Sequence, residues 1–191
     1  MSRPAKHHRD VILRAAMHLF FTEGVGVSTT KVAVAAGVSS GTLFNYFPTK
    51  QALLDALYLF IRADLARAPG SIDSRAHLKN QLRQGWDRWF TWASKNREAH
   101  AVVTLLHQSN LVSDVTRAND DATLAGPRQL LERVHSAGAL VKLPIDYLTA
   151  LVEQHLDQTI AFHFDKRQSA LAFEVLWNGM TKKPTAGTSA R

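Results

Sequence analysis

"STTKVAVAAGVSSGTLFNYF", residues 28–47, sets two short apolar-studded segments on either side of a glycine. Ser28 is a helix-capping type of residue, which leaves Thr29, Thr30 and Lys31 on a first turn. Val32, Ala36, Val38 and Leu43 recur at the spacing two short helices need to meet on a third. Ala33 is small where the second helix must come close. Gly37 stands where the turn asks for a positive φ, which glycine adopts without a steric penalty. The pattern predicts helices over 29–36 and 40–46 in a helix-turn-helix. Such a second helix projects far enough from its body to enter a DNA major groove.

The polar residues fit that reading. Ser39, Ser40, Gly41 and Thr42 open the second helix, where backbone amides favour phosphate and short hydroxyls allow close approach to base edges. Asn45 and Tyr46 follow a turn later, facing a backbone strand, and Lys50 begins the next helix within reach of another phosphate. Leu43 and Phe47 are expected to face inward. The competing interpretation is a packed helical hairpin with solvated serines and a core tyrosine.

Charge weighs against the hairpin. The net charge is +7 over 191 residues, and it is segregated. Residues 1–50 hold six Lys/Arg against two Asp/Glu, residues 51–180 hold fourteen of each, and the tail adds Lys182, Lys183 and Arg191 with no acid. A basic first segment on a neutral body points to a polyanion-binding module, although short basic ends also arise by chance. Arg3, Lys6, His7, His8 and Arg9 form a possible arm for the minor groove or backbone.

Composition closes other routes. With no cysteine, disulfides, thiolate zinc sites and cysteine nucleophiles are out. No run approaches the roughly 18–20 apolar residues of a membrane span, and MSRPAKHHRD lacks a signal-peptide core, so a cytoplasmic protein is expected. No GxSxG elbow, Walker loop or HExxH spacing is present, so no catalytic residue, cofactor or enzyme activity is expected. His100 and His107 stand two helical turns apart, and Glu153, His155 and Asp157 cluster. Neither group has a third ligand at a recurring spacing, so no metal site is expected.

The rest of the chain also reads as helix, giving an all-α fold of about nine helices. A first helix covers 8–23 and stops at Gly24. Thr49 can cap a helix carrying Leu53, Leu57, Ile61 and Leu65, and Pro69–Ser74 reads as a boundary. Then come an amphipathic helix with Leu78, Leu82, Trp86, Trp89 and Ala93, and another over 98–110. The stretch 114–138 reads as helical with a break at Gly126-Pro127. Pro144 suits the first turn of a helix over 145–164, and a last helix runs over 168–180. The predicted organisation is a DNA-binding domain over 1–50, a connecting helix over 51–70, a ligand-binding and dimerisation domain over 71–181, and a disordered basic tail over 182–191.

"AAGVSSGTLFNYFPTKQALL", within residues 8–54, resembles the DNA-binding domain of the tetracycline-repressor (TetR) family of bacterial transcriptional regulators. The resemblance implies a homodimeric repressor that binds a palindromic double-stranded DNA operator and releases it when a small-molecule effector binds the C-terminal domain. An activator, a metal-sensing regulator of the same fold, or a helical ligand-binding protein without DNA binding are the alternatives. Carried over, Ser28 or Thr29 is the usual phosphate contact of the first short helix. Ser39, Ser40, Gly41 and Thr42 match positions touching backbone or bases, Tyr46 matches an aromatic or histidine that bonds phosphate, and Lys50 a phosphate-binding lysine. Phe44 departs from a frequent tyrosine and lacks its hydroxyl. Ser40 stands where lysine or glutamine is common, so base contacts shift toward Thr42, Asn45 and the arm.

In the family the last two long helices pair with their twofold mates, and Phe162, Phe164, Phe173 and Trp177 exceed what a single-sided helix needs; an intramolecular core is the alternative. Trp86, Trp89, Phe90 and Trp92 crowd one helix near His100, His107, Gln108 and Asn110. An apolar cavity with a few placed polar groups is how small-molecule sites are built. A pocket is predicted near Trp89, Phe90, Val103, His107 and Asn110, against the plainer reading that these aromatics fill a core.

Overall fold

The structure, a computed structural model, describes residues 5–123 and 125–181, with side chains over 8–118 and 128–181. Arg3 and residues 182–191 lie outside the described residues, as do the side chains of Lys6 and His7. Ten helices are described: α1 (Ala5–Glu23), α2 (Thr29–Ala35), α3 (Ser40–Tyr46), α4 (Lys50–Ala66), α5 (Leu78–Lys95), α6 (Arg97–Gln108), α7 (Asp114–Thr123), α8 (Ala125–Ser136), α9 (Ile145–Ala161) and α10 (Lys166–Met180). Among the described residues there is no strand, only an isolated antiparallel bridge between Leu140 and Thr181.

Over 114–138 the described residues are helical across Asp114–Thr123 and Ala125–Ser136. One boundary differs from expectation for an identifiable reason. α9 ends at Ala161 rather than running to 164. His163 takes a left-handed φ of 55°, and the His163 and Phe164 N–H groups return to the Ile160 and Thr159 carbonyls at 3.0 and 3.3 Å.

The helices group into two compact units that interleave along the chain: Met1–Ala68 with Lys95–Thr123, and Pro69–Ser94 with Leu124–Arg191. In the first unit α1 packs on α2, α4 and α6, α2 packs on α3, and α4 packs on α6 and α7. Ile12, Leu13, Phe20, Val32, Leu43 and Leu53 are among the residues that fill its core. The start of α4 is stitched to the corner between α6 and α7. Gln51 Nε2 donates to the Leu111 carbonyl at 2.8 Å and to Asp55 Oδ1 at 3.0 Å, and Asp55 Oδ1 also accepts the Ser113 N–H at 2.9 Å.

The second unit is built from α5, α8, α9 and α10. Trp86 is its hub: the indole N–H donates to Ser169 Oγ at 2.9 Å, with both residues buried, and the ring meets Phe173 edge-on at 5.9 Å. Lys79 pairs with Glu174 at 2.7 Å, and Arg83 lies over the Phe173 ring at 5.3 Å. These contacts tie α5 to α10. An Asp165–Gln168 capping box opens α10, satisfying amides that would otherwise be orphaned.

Candidate nucleic-acid interface and effector cavity

The helix-turn-helix is closed by its own sequence. Ser28 caps α2 by accepting the Lys31 N–H at 3.2 Å. Gly37 has φ 66°, and the Val38 and Gly37 N–H groups return to the Ala33 and Val34 carbonyls, each at 3.0 Å. That paired closure needs a left-handed residue at Gly37, the conformation a side chain resists. Ser39 caps α3 by accepting the Thr42 N–H at 3.0 Å, and its Oγ lies 2.9 Å from the Thr42 hydroxyl. Thr49 caps α4 through the Ala52 N–H at 3.0 Å.

Leu43 and Phe47 are buried, as their inward placement requires, and Arg9 stacks over the Phe47 ring at 5.6 Å. Burial of two such side chains is worth about 1.5–3 kcal/mol each and fixes α3 rigidly on the unit. Of the expected DNA-facing residues, Ser28, Thr30, Ser39, Ser40, Gly41 and Asn45 are exposed, while Thr29, Thr42, Tyr46 and Lys50 are half-buried at the flanks. Phe44 is exposed beside them. Lys31, on the first turn of α2, is already paired with Glu23 at 2.6 Å.

The second unit holds a cavity of about 80 Å³ with a mostly apolar wall, including Leu82, Trp86, Trp89, Leu131, Leu156 and Met180. Glu153 and Arg128 also reach it. Arg128 donates to Asp146 at 2.7 Å and to Glu132 at 3.1 Å, bonds that hold its guanidinium above the ordinary arginine value. Of the five residues predicted around a pocket, Trp89 lines this cavity and Phe90 is buried on the same helix. Val103, His107 and Asn110 stand in the first unit. There Val103 is buried, His107 stacks on Tyr58 with ring centroids 6.5 Å apart, and Asn110 takes φ 53° just past the end of α6. Leu82, Leu131, Leu156 and Met180 were not anticipated. They converge from four helices, and no local spacing announces such a meeting.

The last two helices bury one face, and their exposed residues include several apolar side chains among polar ones. Phe173 belongs to the core around Trp86, whereas Tyr147, Phe162, Leu171 and Val175 are 56%, 71%, 60% and 66% exposed. Among the described residues, no helix is long and apolar enough to cross a membrane. No three His, Asp or Glu side chains among them gather as metal ligands.

Residues 12–57 match the sequence profile of the tetR family of bacterial regulatory proteins. The nucleoid occlusion factor SlmA of Mannheimia succiniciproducens is 30% identical over 105 residues, covering 53% of this chain and 49% of that protein, so the match spans about half that relative's length. SlmA of Haemophilus influenzae (strain PittGG) is 25% identical over 180 residues, 93% of this chain and 75% of its own. Among solved structures, a protein of Shewanella sp. PV-4 described as a tetR-family transcription regulator superposes with a TM-score of 0.80 at 28% identity, covering 92% of this chain and 99% of that one. A TetR-family transcription regulator of Marinobacter aquaeolei VT8 shares the fold at a TM-score of 0.78 and 20% identity, covering 93% and 97%. Residues 12–57 thus carry the tetR-family profile on a helix-turn-helix, and the all-helical architecture is similar to that of solved TetR-family regulators.

Proposed function

We propose that this protein is a dimeric transcriptional repressor that grips a palindromic operator with α2 and α3 of each copy and lets go when a small apolar molecule occupies the cavity of the second unit. The observation that carries it is the division of α3: Leu43 and Phe47 are buried, while Ser40, Gly41 and Asn45 are turned to solvent. Ser28, Thr29, Thr30, Ser39, Tyr46 and Lys50 then flank the groove as phosphate contacts, and such contacts fix register rather than sequence. The exposed apolar side chains Tyr147, Phe162, Leu171 and Val175 support pairing of the α9–α10 region with a second copy, since such side chains gain by leaving water. The cavity supports the effector. At about 80 Å³ it lies well below the roughly 300–1,000 Å³ of drug-sized sites, so its occupant is small or displaces wall side chains such as Trp89.

Selecting duplexes bound by the full chain from a random pool tests the reading. A palindrome with half-sites about 34–36 Å apart is expected for a symmetric dimer. Absence of enrichment at modest ionic strength refutes it. The position of the selected site relative to promoters separates repressor from activator.

The 180-residue likeness to the nucleoid occlusion factor of Haemophilus influenzae favours a second reading, a chromosome-associated role rather than control of a few promoters. Mapping bound sites across the chromosome distinguishes the two: a handful of promoter sites supports the repressor, and many dispersed sites support the alternative.

A further inference from the structure

Two residues on the outward face of α3 have no role inside the protein. At 100° per residue, Gly41 and Asn45 stand about 160° and 200° around the helix axis from Leu43, the residue that points straight into the core. They therefore share the centre of the face directed away from the unit. Gly41 is not there for its backbone, because it has no left-handed φ. Nor is it there for space, because a Cβ built on it meets only Ser39 Oγ, at 3.8 Å. A glycine in a helix that neither turns nor relieves a clash is a cost to the fold. Its remaining use is to let something outside the chain come close.

The neighbouring polar groups are committed elsewhere. The Ser39 and Thr42 hydroxyls lie 2.9 Å apart, and Ser39 caps the helix. Tyr46 lies half-buried on the flank beside Phe47, ring centroids 6.4 Å apart. The Asn45 carboxamide is exposed and has no intramolecular hydrogen-bond partner among the described residues. It carries one acceptor and one donor set side by side, which matches the N6 donor and N7 acceptor that adenine presents in the major groove.

We infer that Asn45 is the specificity-determining residue of α3, reading one adenine in each half-site, and that Gly41 holds the helix axis close enough for that contact. Oδ1 accepts from the adenine N6 amino group while Nδ2 donates to N7. This rests on α2–α3 being the DNA-binding element, and the test separates the two claims.

Full-length wild type and Asn45→Ala are each used to select duplexes from the same random pool, and each base pair of the wild-type site is then exchanged singly in equilibrium titrations. Wild type is expected to fix an adenine in each half-site and to lose about 5- to 150-fold in affinity when that A·T pair becomes G·C, the range of one bidentate contact. Asn45→Ala is expected to lose preference at that position alone, with less than a twofold response to the exchange. Asn45 is exposed, so an unchanged melting temperature accompanies this. The inference is overturned if Asn45→Ala keeps the wild-type preference at every position, or if it weakens binding to all sequences alike. Enrichment of no duplex by wild type sinks the DNA-binding reading and takes this inference with it.

Discussion

Replacing Gly41 with alanine should push stability and function in opposite directions. The methyl group lands in open space 3.8 Å from Ser39 Oγ, an ordinary van der Waals contact, on a backbone with helical rather than left-handed φ. Alanine restricts the unfolded chain and favours helix by about 0.5–1 kcal/mol over glycine, the lower figure suiting a first-turn position. In a chain of this size that corresponds to a melting temperature higher by about 1–3 °C. On the DNA side, the same methyl intrudes between α3 and the groove at the centre of the contact. Overpacking a close interface costs about 1–3 kcal/mol, or about 5- to 150-fold in operator affinity. Thermal or urea denaturation gives the first number, and anisotropy titration with the selected operator gives the second. A Gly41→Ala protein that is less stable shows the glycine to be a folding requirement. One that is as stable or more so but binds the operator unchanged shows that nothing approaches this surface. Either outcome refutes the reasoning.

Three further perturbations probe other parts of the assembly. Lys50→Ala should weaken binding to every duplex alike and flatten the dependence of log affinity on log salt by about 0.9, the share of one released counterion, as read from titrations at several salt concentrations. Leu171→Asp combined with Val175→Asp places charge on two side chains that are 60% and 66% exposed, so the subunit should stay folded by circular dichroism. Sedimentation should then report monomers with lost operator affinity, and a surviving dimer would place the twofold interface elsewhere. Gly37→Ala forces a side chain into φ 66° with no steric neighbour within 4 Å, so the backbone alone sets the cost, about 1–2 kcal/mol by urea unfolding.

The helix-turn-helix could be read from sequence because everything that shapes it is local. The caps at Ser28, Ser39 and Thr49 each close on an amide three residues ahead, and the Gly37 turn closes on carbonyls of the preceding helix. A window of 25 residues, 28–52, contains cause and effect together. The cavity of the second unit is the opposite case. Trp89 fits its helix's own apolar stripe and belongs to a local crowd of aromatics, but its neighbours in the cavity come from residues 72 to 180. Val103, His107 and Asn110 looked like partners because they follow closely in sequence. α6 instead packs with α1 and α4, where Val102, Val103 and Leu106 are buried, and so belongs to the other unit.

The brevity of α3 bears on why a second copy should be required. Seven residues rising 1.5 Å each span about 10 Å, the length of about three base pairs. With Leu43 buried and Ser39 and Thr42 engaged with each other, few side chains remain on that span to read bases. Each mismatched pair costs a binder about 1–3 kcal/mol, so a single half-site of this size discriminates weakly against the millions of competing positions in a genome. Two half-sites held at fixed separation add their discrimination, and they do so only if the spacing between heads is rigid. The exposed apolar side chains on α9 and α10, Leu171 and Val175 among them, are suited to supplying that rigidity. A protein in which Leu171→Asp and Val175→Asp abolish pairing while Asn45→Ala abolishes one base preference would show the two devices to be separable: one sets how far apart the sequence is read, the other which base is read.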